Sequence, residues 1–493
     1  MPEIKTQDFS AASVKAMLDP KLQRALDRVG SGFDVARRAA IEEVSPQVWE
    51  QWRQQARDIK VHTIEHLDYY LDLLYTTVTA AGGHLHFAND ASQANEIVAH
   101  IARTRNVKVA VKSKSMVSEE LGLNPVLEAI GIEVWETDLG EYIIQLAEET
   151  PSHLVAPALH KSKEDVAELF TEKLGIPYDD DINHMAATAR TVLRDKFMEA
   201  DLGISGANFV VAETGTLVII TNEGNGRLCT SAPRIHIGIT GMEKVIPSMQ
   251  DLSVFLRLLP RSATGQRITS YVSMITGPRR ADDEDGPEEF HLVLVDNGRS
   301  KMLADPALRE ALYCIRCGAC LNICPVYQRV GGHAYGWVYP GPIGAVVSPM
   351  LIGLPQAKEL PQASTLCGAC REACPIKIDI PRMLLDLRHK TAESPDKSQQ
   401  SAPEIERIIA RLYAGLMSRP RLLRLAVRSG RLLQKLERFV PFFSPLTKDG
   451  RWIRNAPLPP LSKWTRSRDL PTLPKQTFHE LWDKGIAGGT RDD

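Results

Sequence analysis

The chain has 493 residues, 43% hydrophobic and 24% charged, with 33 Gly and 31 Pro, which excludes collagen-like, coiled-coil and disordered chains and predicts about three domains. Its 59 basic and 61 acidic residues leave a net charge of −2, so no whole-protein field draws it to nucleic acid. A basic start followed by an apolar stretch is missing, as is any run of about 18 apolar residues, and a cytoplasmic protein without signal peptide or membrane span is expected.

Residues 1–80 read as an N-terminal helical segment. From Phe33 to Val44 and from Val48 to Leu74, apolar residues recur at three and four. The period changes at His84. Strands are expected at 84–88, 107–111, 132–136 and 153–156, alternating with helices over 94–105, 119–130, 164–174 and 185–200. Further strands are expected at 208–212, 217–221, 234–239, 268–274 and 291–295, which makes 81–300 one α/β domain. Cys229, in an apolar segment, reads as a buried structural thiol.

Residues 301–400 break this rhythm. Eight cysteines occur in the chain, and seven of them fall in two clusters here. Cys314, Cys317, Cys320 and Cys324 with Pro325 form the complete C-x2-C-x2-C-x3-C-P run of bacterial iron–sulfur proteins. Three thiolates two residues apart wrap one cubane, while the fourth points away to the other cluster; a zinc site needs well-separated pairs instead. Cys367, Cys370 and Cys374 with Pro375 repeat the run without its first member, where Ser364 stands. The crossed rule assigns Cys314, Cys317, Cys320 and Cys374 to one [4Fe–4S] cluster. Cys324, Cys367 and Cys370 are left for a second centre. That centre is a [4Fe–4S] cluster completed by a non-cysteine group (Ser364, a carboxylate, a His or water) or a [3Fe–4S] cluster. Short helices are expected at 306–312 and 381–390, around a Gly/Pro/aromatic insert over 331–361. Thr391 to Pro403 reads as a linker.

Residues 401–493 carry 18 basic and 9 acidic residues. An amphipathic helical pattern studded with Arg runs from Ile405 to Phe439, and 442–474 is Pro-rich. Such a basic tail suits docking on an acidic partner subunit or on anionic lipid.

Two stretches of the α/β domain hold more polar and Gly residues than packing requires. One is Lys112 to Glu120, where Lys112 and Ser115 sit at a strand-to-helix junction suited to a carboxylate or phosphate, or where Ser118 simply caps a helix beside solvated lysines. The other joins Glu213 and Thr214 to Asn222, Glu223 and Arg227. If both turns lie at the same end of neighbouring strands, they line a cleft in which Arg227 pairs with an anion and Glu213 or Glu223 handles a proton.

At these residues the chain resembles the LutB family of lactate-utilisation iron–sulfur proteins. The resemblance rests on Ser115-Met-Val-Ser-Glu-Glu, Glu136-Thr-Asp-Leu-Gly-Glu-Tyr-Ile-Ile-Gln, Pro151-Ser-His, Ala207-Asn-Phe, Glu213-Thr-Gly-Thr and Thr221-Asn-Glu-Gly-Asn. The seven-cysteine pattern and Pro460-Leu-Ser-Lys-Trp-Thr-Arg-Ser-Arg-Asp complete it. It implies a LUD-type α/β domain with an isomerase/CoA-transferase-like sheet, a mainly helical two-cluster ferredoxin domain and a family-specific tail. It further implies an electron-transfer subunit, working beside a Cys-rich partner and a small LUD-domain partner to oxidise L-lactate to pyruvate, in the cytoplasm or peripherally at the inner face of the membrane. Two rival readings are a self-sufficient organic-acid oxidoreductase with its substrate in the LUD cleft and an assembly or regulatory iron–sulfur protein. No Gly-x-Gly-x-x-Gly follows a predicted strand to mark a flavin or nicotinamide site.

Overall fold

The computed structural model describes residues 4–394, 404–437, 452–453, 462, 465 and 468–485. Helices Pro20–Glu42 and Pro46–Glu65 each begin with Pro behind a capping side chain, Asp19 and Ser45, which accept the first free backbone N–H groups. The run expected from Val48 to Leu74 is broken at His66, whose φ of −119° leaves the helical region, and the chain resumes as Leu67–Ala80.

Ten strands follow in chain order: β1 (His84–Ala88), β2 (Val109–Lys112), β3 (Glu133–Glu136), β4 (Leu202–Ser205), β5 (Phe209–Val211), β6 (Thr216–Thr221), β7 (Ile235–Gly241), β8 (Val245–Ile246), β9 (Tyr271–Ile275) and β10 (Glu289–Val295). Six form a parallel sheet in the order β1-β10-β7-β4-β2-β3. Its central strands are buried on both faces, as parallel sheets covered by helices require, and are dominated by Ile, Leu and Val. The chain moves outward from β2 to β3 and then returns to β4 on the other side of β2, so the sheet changes direction between β2 and β4. Ligands favour the strand ends at such a point.

The other four strands form a second sheet, β8-β5-β6-β9, in which β6 runs antiparallel to both β5 and β9 and β8 runs parallel to β5. This corrects a sequence expectation. In the β5–β6 hairpin, Glu213 and Thr214 lie at one end and Asn222 and Glu223 at the other, so the two turns cannot share a cleft. The strand expected at 153–156 is a loop, because His153 Nδ1 accepts the N–H groups of Val155 and Ala156 and turns the chain (3.0 and 3.1 Å). Cys229 is fully buried against β4, and a Cβ at Gly203 would lie 1.7 Å from its carbonyl oxygen.

Residues 301–394 are mainly helical. The Gly/Pro insert contains a buried helix, Gly341–Ile352, with Pro349 inside it. One continuous core joins Phe9, Trp49 and Ile64 from the N-terminal helices to Phe255 and to cysteines of both runs. Residues 1–401 are therefore one compact unit, not three separate bodies, and a second begins at Ala402. In that second unit the helical run breaks at Pro420 into Glu404–Met417 and Pro420–Glu437. A short helix, Phe478–Asp483, carries a capping box from Thr477 and Glu480, and Arg431 pairs with Glu480 (3.0 Å). The linker beyond Ser394 and most of 442–474 lie outside the described residues.

His236 in β7 is fully buried, shares a hydrogen bond with Ser205 Oγ (2.7 Å) and has no partner for Nδ1. Burial, with His291 nearby, pushes it down from 6.5 to about 3. The folded state therefore binds fewer protons than the unfolded chain between these values. Stability present at neutral pH should fall as pH drops through that window, at up to roughly 1.4 kcal/mol per pH unit. Urea midpoints measured at decreasing pH should fall less steeply in His236→Asn than in wild type; equal slopes would show that His236 is not the group titrating.

Candidate metal centre and adjoining cavity

Both cysteine runs adopt the same local geometry. Arg316 and Gly318 in the first, and Leu366 and Gly368 in the second, have positive φ. Each run then enters a short helix, Ala319–Asn322 or Ala369–Ala373. These left-handed turns fold each loop back so that its thiols converge. Cys314, Cys317, Cys320 and Cys374 line one small cavity, closed by Ile315, Ile343, Ile376, Ile378 and Ile380. Cys324, Cys367 and Cys370 are electrostatic neighbours of one another. Cys367 is exposed, unlike the buried Cys324 and Cys370. Ser364 Oγ accepts the Leu366 N–H (3.1 Å) and its carbonyl accepts from Arg388 (2.8 Å).

The donor set fits an iron–sulfur cluster. No disulfide joins any of the eight cysteines, and among the described residues no group of three or more His, Cys, Asp or Glu is placed to hold a single ion. A cluster of several irons spreads its ligands around a larger body, which matches four thiols ringing a cavity. Burial pushes Cys317 up to about 12 and Cys374 to about 11 and raises Cys320 as well, so these three thiols need a cationic core to become thiolates. Three guanidinium groups also attend this set: Arg316 near Cys314, Arg37 near Cys317 and Arg53 near Cys374. Arg53 further donates to the Cys374 carbonyl (2.8 and 3.1 Å), and Arg57 to that of Lys377 (2.7 Å). Tyr335 is fully buried with Cys324, Cys320 and Cys370 around it, and its hydroxyl has no partner.

A second cavity, of about 290 Å³, lies at the carboxyl ends of the parallel strands. Ser113 to Val117 after β2 and Gly206 to Asn208 after β4 form one wall, at the point where the sheet changes direction. Asn222 and Glu223 after β6, with helix Met249–Thr264, form another. Arg316, Cys317 and Tyr339 close it, so it adjoins the first cysteine set.

A family model for the LUD domain matches residues 71–295, one for a 4Fe–4S dicluster domain matches 310–378, and one for the C-terminal region of lactate utilisation protein B matches 386–485. Among curated relatives, a lactate utilization protein B from Oceanobacillus iheyensis is 44% identical over 95% of this chain and 94% of its own. Another, from Macrococcus caseolyticus, is 50% identical over 74% of this chain and 76% of its own. The chain belongs to the lactate utilization protein B family. It is an iron–sulfur protein with a LUD-type α/β domain. A solved DUF162 family protein from Deinococcus radiodurans aligns with 46% of this chain and 98% of its own, at 12% identity and a TM-score of 0.27.

Of the residues singled out in the LUD domain, Ser115, Asn222 and Glu223 line the cavity and four others do not. Lys112 is buried between Glu119 and Glu136 (both 2.6 Å); burial alone would lower its pKa, but these carboxylates hold it above the ordinary value. It sits in a buried ion-pair network outside the cavity lining. Glu213 caps helix Met249–Thr264 through the Met249 N–H (3.0 Å), and Thr214 bonds to Thr216 (2.7 Å). Arg227 lines a separate open depression beside the 282–287 acidic loop. Sequence reasoning passed over Lys114, Asn225, Thr240 and Arg316, which all line the cavity. Lys114, two residues beyond Lys112, was the nearest signal: after Lys112 turns inward, Lys114 is the next lysine toward the cavity.

Proposed function

We propose that this chain is the electron-transfer subunit of an assembly that oxidises L-lactate to pyruvate. In this reading Cys314, Cys317, Cys320 and Cys374 hold one [4Fe–4S] cluster, and Cys324, Cys367 and Cys370 hold the second, [4Fe–4S] or [3Fe–4S]. The observation that carries it is the single apolar cavity lined by three thiols of the first run and the last thiol of the second. The relatives are named for lactate utilization. When bound, the clusters would supply one-electron acceptors for the two electrons of a 2-hydroxy acid.

The chain's own residues prepare that site. The isoleucines keep water from the first set, and Arg37, Arg53 and Arg316 favour added negative charge there, which raises its reduction potential relative to a centre without such neighbours. The basic tail supports docking on partner subunits, a Cys-rich one and a small LUD-domain one, in the cytoplasm or at the inner face of the membrane. Among the described residues no helix is long and apolar enough to cross a membrane.

Anaerobic purification with the partners, followed by EPR during L-lactate addition, tests the reading. Signals from reduced clusters should grow with lactate, and failure of the clusters to cycle would overturn it. About eight irons per chain mark two cubanes and about seven mark a [3Fe–4S] partner; about four would remove the second centre.

A further inference from the structure

We propose that the cavity at the strand ends binds a small 2-hydroxy acid, its carboxylate taken by Lys114 and Arg316 and its hydroxyl by Asn225 and Thr240, directly beside the first cysteine set. Lys114 Nζ, Asn225 Oδ1, Thr240 Oγ1 and Arg316 Nη1 are buried, lack a hydrogen-bond partner and belong to residues that line this one cavity. Buried polar atoms are nearly always paired, and four orphans around one space call for a polar ligand. The nearest carboxylates do not satisfy the cations, since Glu141 is 4.0 Å from Lys114 and Glu243 is 3.7 Å from Arg316, both beyond hydrogen-bond length.

The chemistry of the four atoms defines the ligand class. Two cationic donors match a carboxylate. Thr137 spends its proton on the Lys112 carbonyl (3.0 Å), so Asn225 must turn its Nδ2 toward Thr137 (3.5 Å) and keep Oδ1 free to accept from an O–H. Thr240 Oγ1 completes a place for a hydroxyl. A volume of about 290 Å³ admits a small acid and sits at the low end for ligand pockets.

Two further observations support the site. Burial lowers the pKa of Lys114 against the pull of Glu141, Asp138 and Glu223, none of which hydrogen-bonds its ammonium, and an incoming carboxylate would supply the hydrogen bond it lacks. Arg316 is not required by its loop, because Leu366 occupies the same position, with the same positive φ, in the second run. The guanidinium is thus a feature of the first run alone, the one that faces the cavity. The choice of lactate among such acids rests on the function proposed above.

The test is calorimetric titration of the anaerobic, cluster-loaded full chain with L-lactate, propionate and 1,2-propanediol, for wild type, Lys114→Met and Arg316→Leu. L-Lactate should bind wild type, propionate more weakly, and propanediol not measurably. Lys114→Met should keep its iron and visible spectrum, Arg316→Leu is compared at full iron content because it also neighbours the cysteines, and each should lose roughly ten- to a hundredfold in lactate affinity. Absence of saturable lactate binding to wild type, or iron-replete variants that both bind like wild type, overturns the site. Lactate-driven EPR of the partnered complex, run alongside, separates the two ideas. Cluster reduction with unaltered variants sinks the cavity and leaves the electron-transfer role, whereas binding without reduction sinks that role and leaves the cavity.

Discussion

Cys374→Ser should abolish the cluster built on the first cysteine run, although the residue belongs to the second. Cys374 shares its cavity with Cys314, Cys317 and Cys320, and its backbone carbonyl is held by Arg53. Serine keeps the shape but offers a hydroxyl in place of a strong thiolate ligand, and metal binding free energy is folding free energy for such modules. Anaerobic iron analysis should fall by about four irons, with loss of the corresponding EPR signal. Cys324→Ser should leave that signal and change the other one. Interchange of these two outcomes would show that the ligands are not crossed.

Arg299→Met should be the most damaging substitution outside the cysteines. Arg299 is 1% exposed and bonds both oxygens of Glu120 (2.9 Å each) and one of Glu243 (2.6 Å). Tyr339 donates to Glu120 as well (2.6 Å), which ties the sheet to the helical module. Burial would raise the pKa of Glu243, but Arg299, Arg316 and Lys244 outweigh it and hold the carboxyl down at about 2. Removing the central guanidinium strands two buried carboxylates, at a cost of about 3–5 kcal/mol. The urea midpoint should drop sharply, while Arg299→Met combined with Glu120→Leu should recover part of the loss. A midpoint within error of wild type for the single variant would mean that the network is not a stability element.

The cysteine runs were legible because ligand spacing is local: loop geometry is written in residues two and three apart. Most strands were legible too, since β7 and β10 are rich in Ile, Val and Leu. The β5–β6 pairing was legible as well, since so short a connection joins only antiparallel strands, and Glu213 was grouped with Asn222 because turn composition was read without that constraint. Helix Gly341–Ile352 was hidden by Gly and Pro and by being apolar all round, so it shows no amphipathic period. Lys112 and Lys114 differ by two positions in sequence, yet one is held at 2.6 Å by both Glu119 and Glu136 and the other has only Glu141 at 4.0 Å and no hydrogen bond. That distinction depends on residues brought in from β3 and helix Leu139–Leu146, which no local pattern carries.

The grip of Arg53 on the carbonyl of Cys374 spans 321 positions of the chain. During synthesis, the N-terminal helices leave the ribosome long before the residue they clamp, and the part of their shared core that comes from 308–387 is missing until that stretch has emerged. Pairings of such long sequence separation form slowly and leave hydrophobic surface open in the meantime. If Cys374 completes the first cluster, as proposed, that cluster can be assembled only after translation has passed Cys374, and a nascent chain held short of that point carries three thiols that still await their fourth.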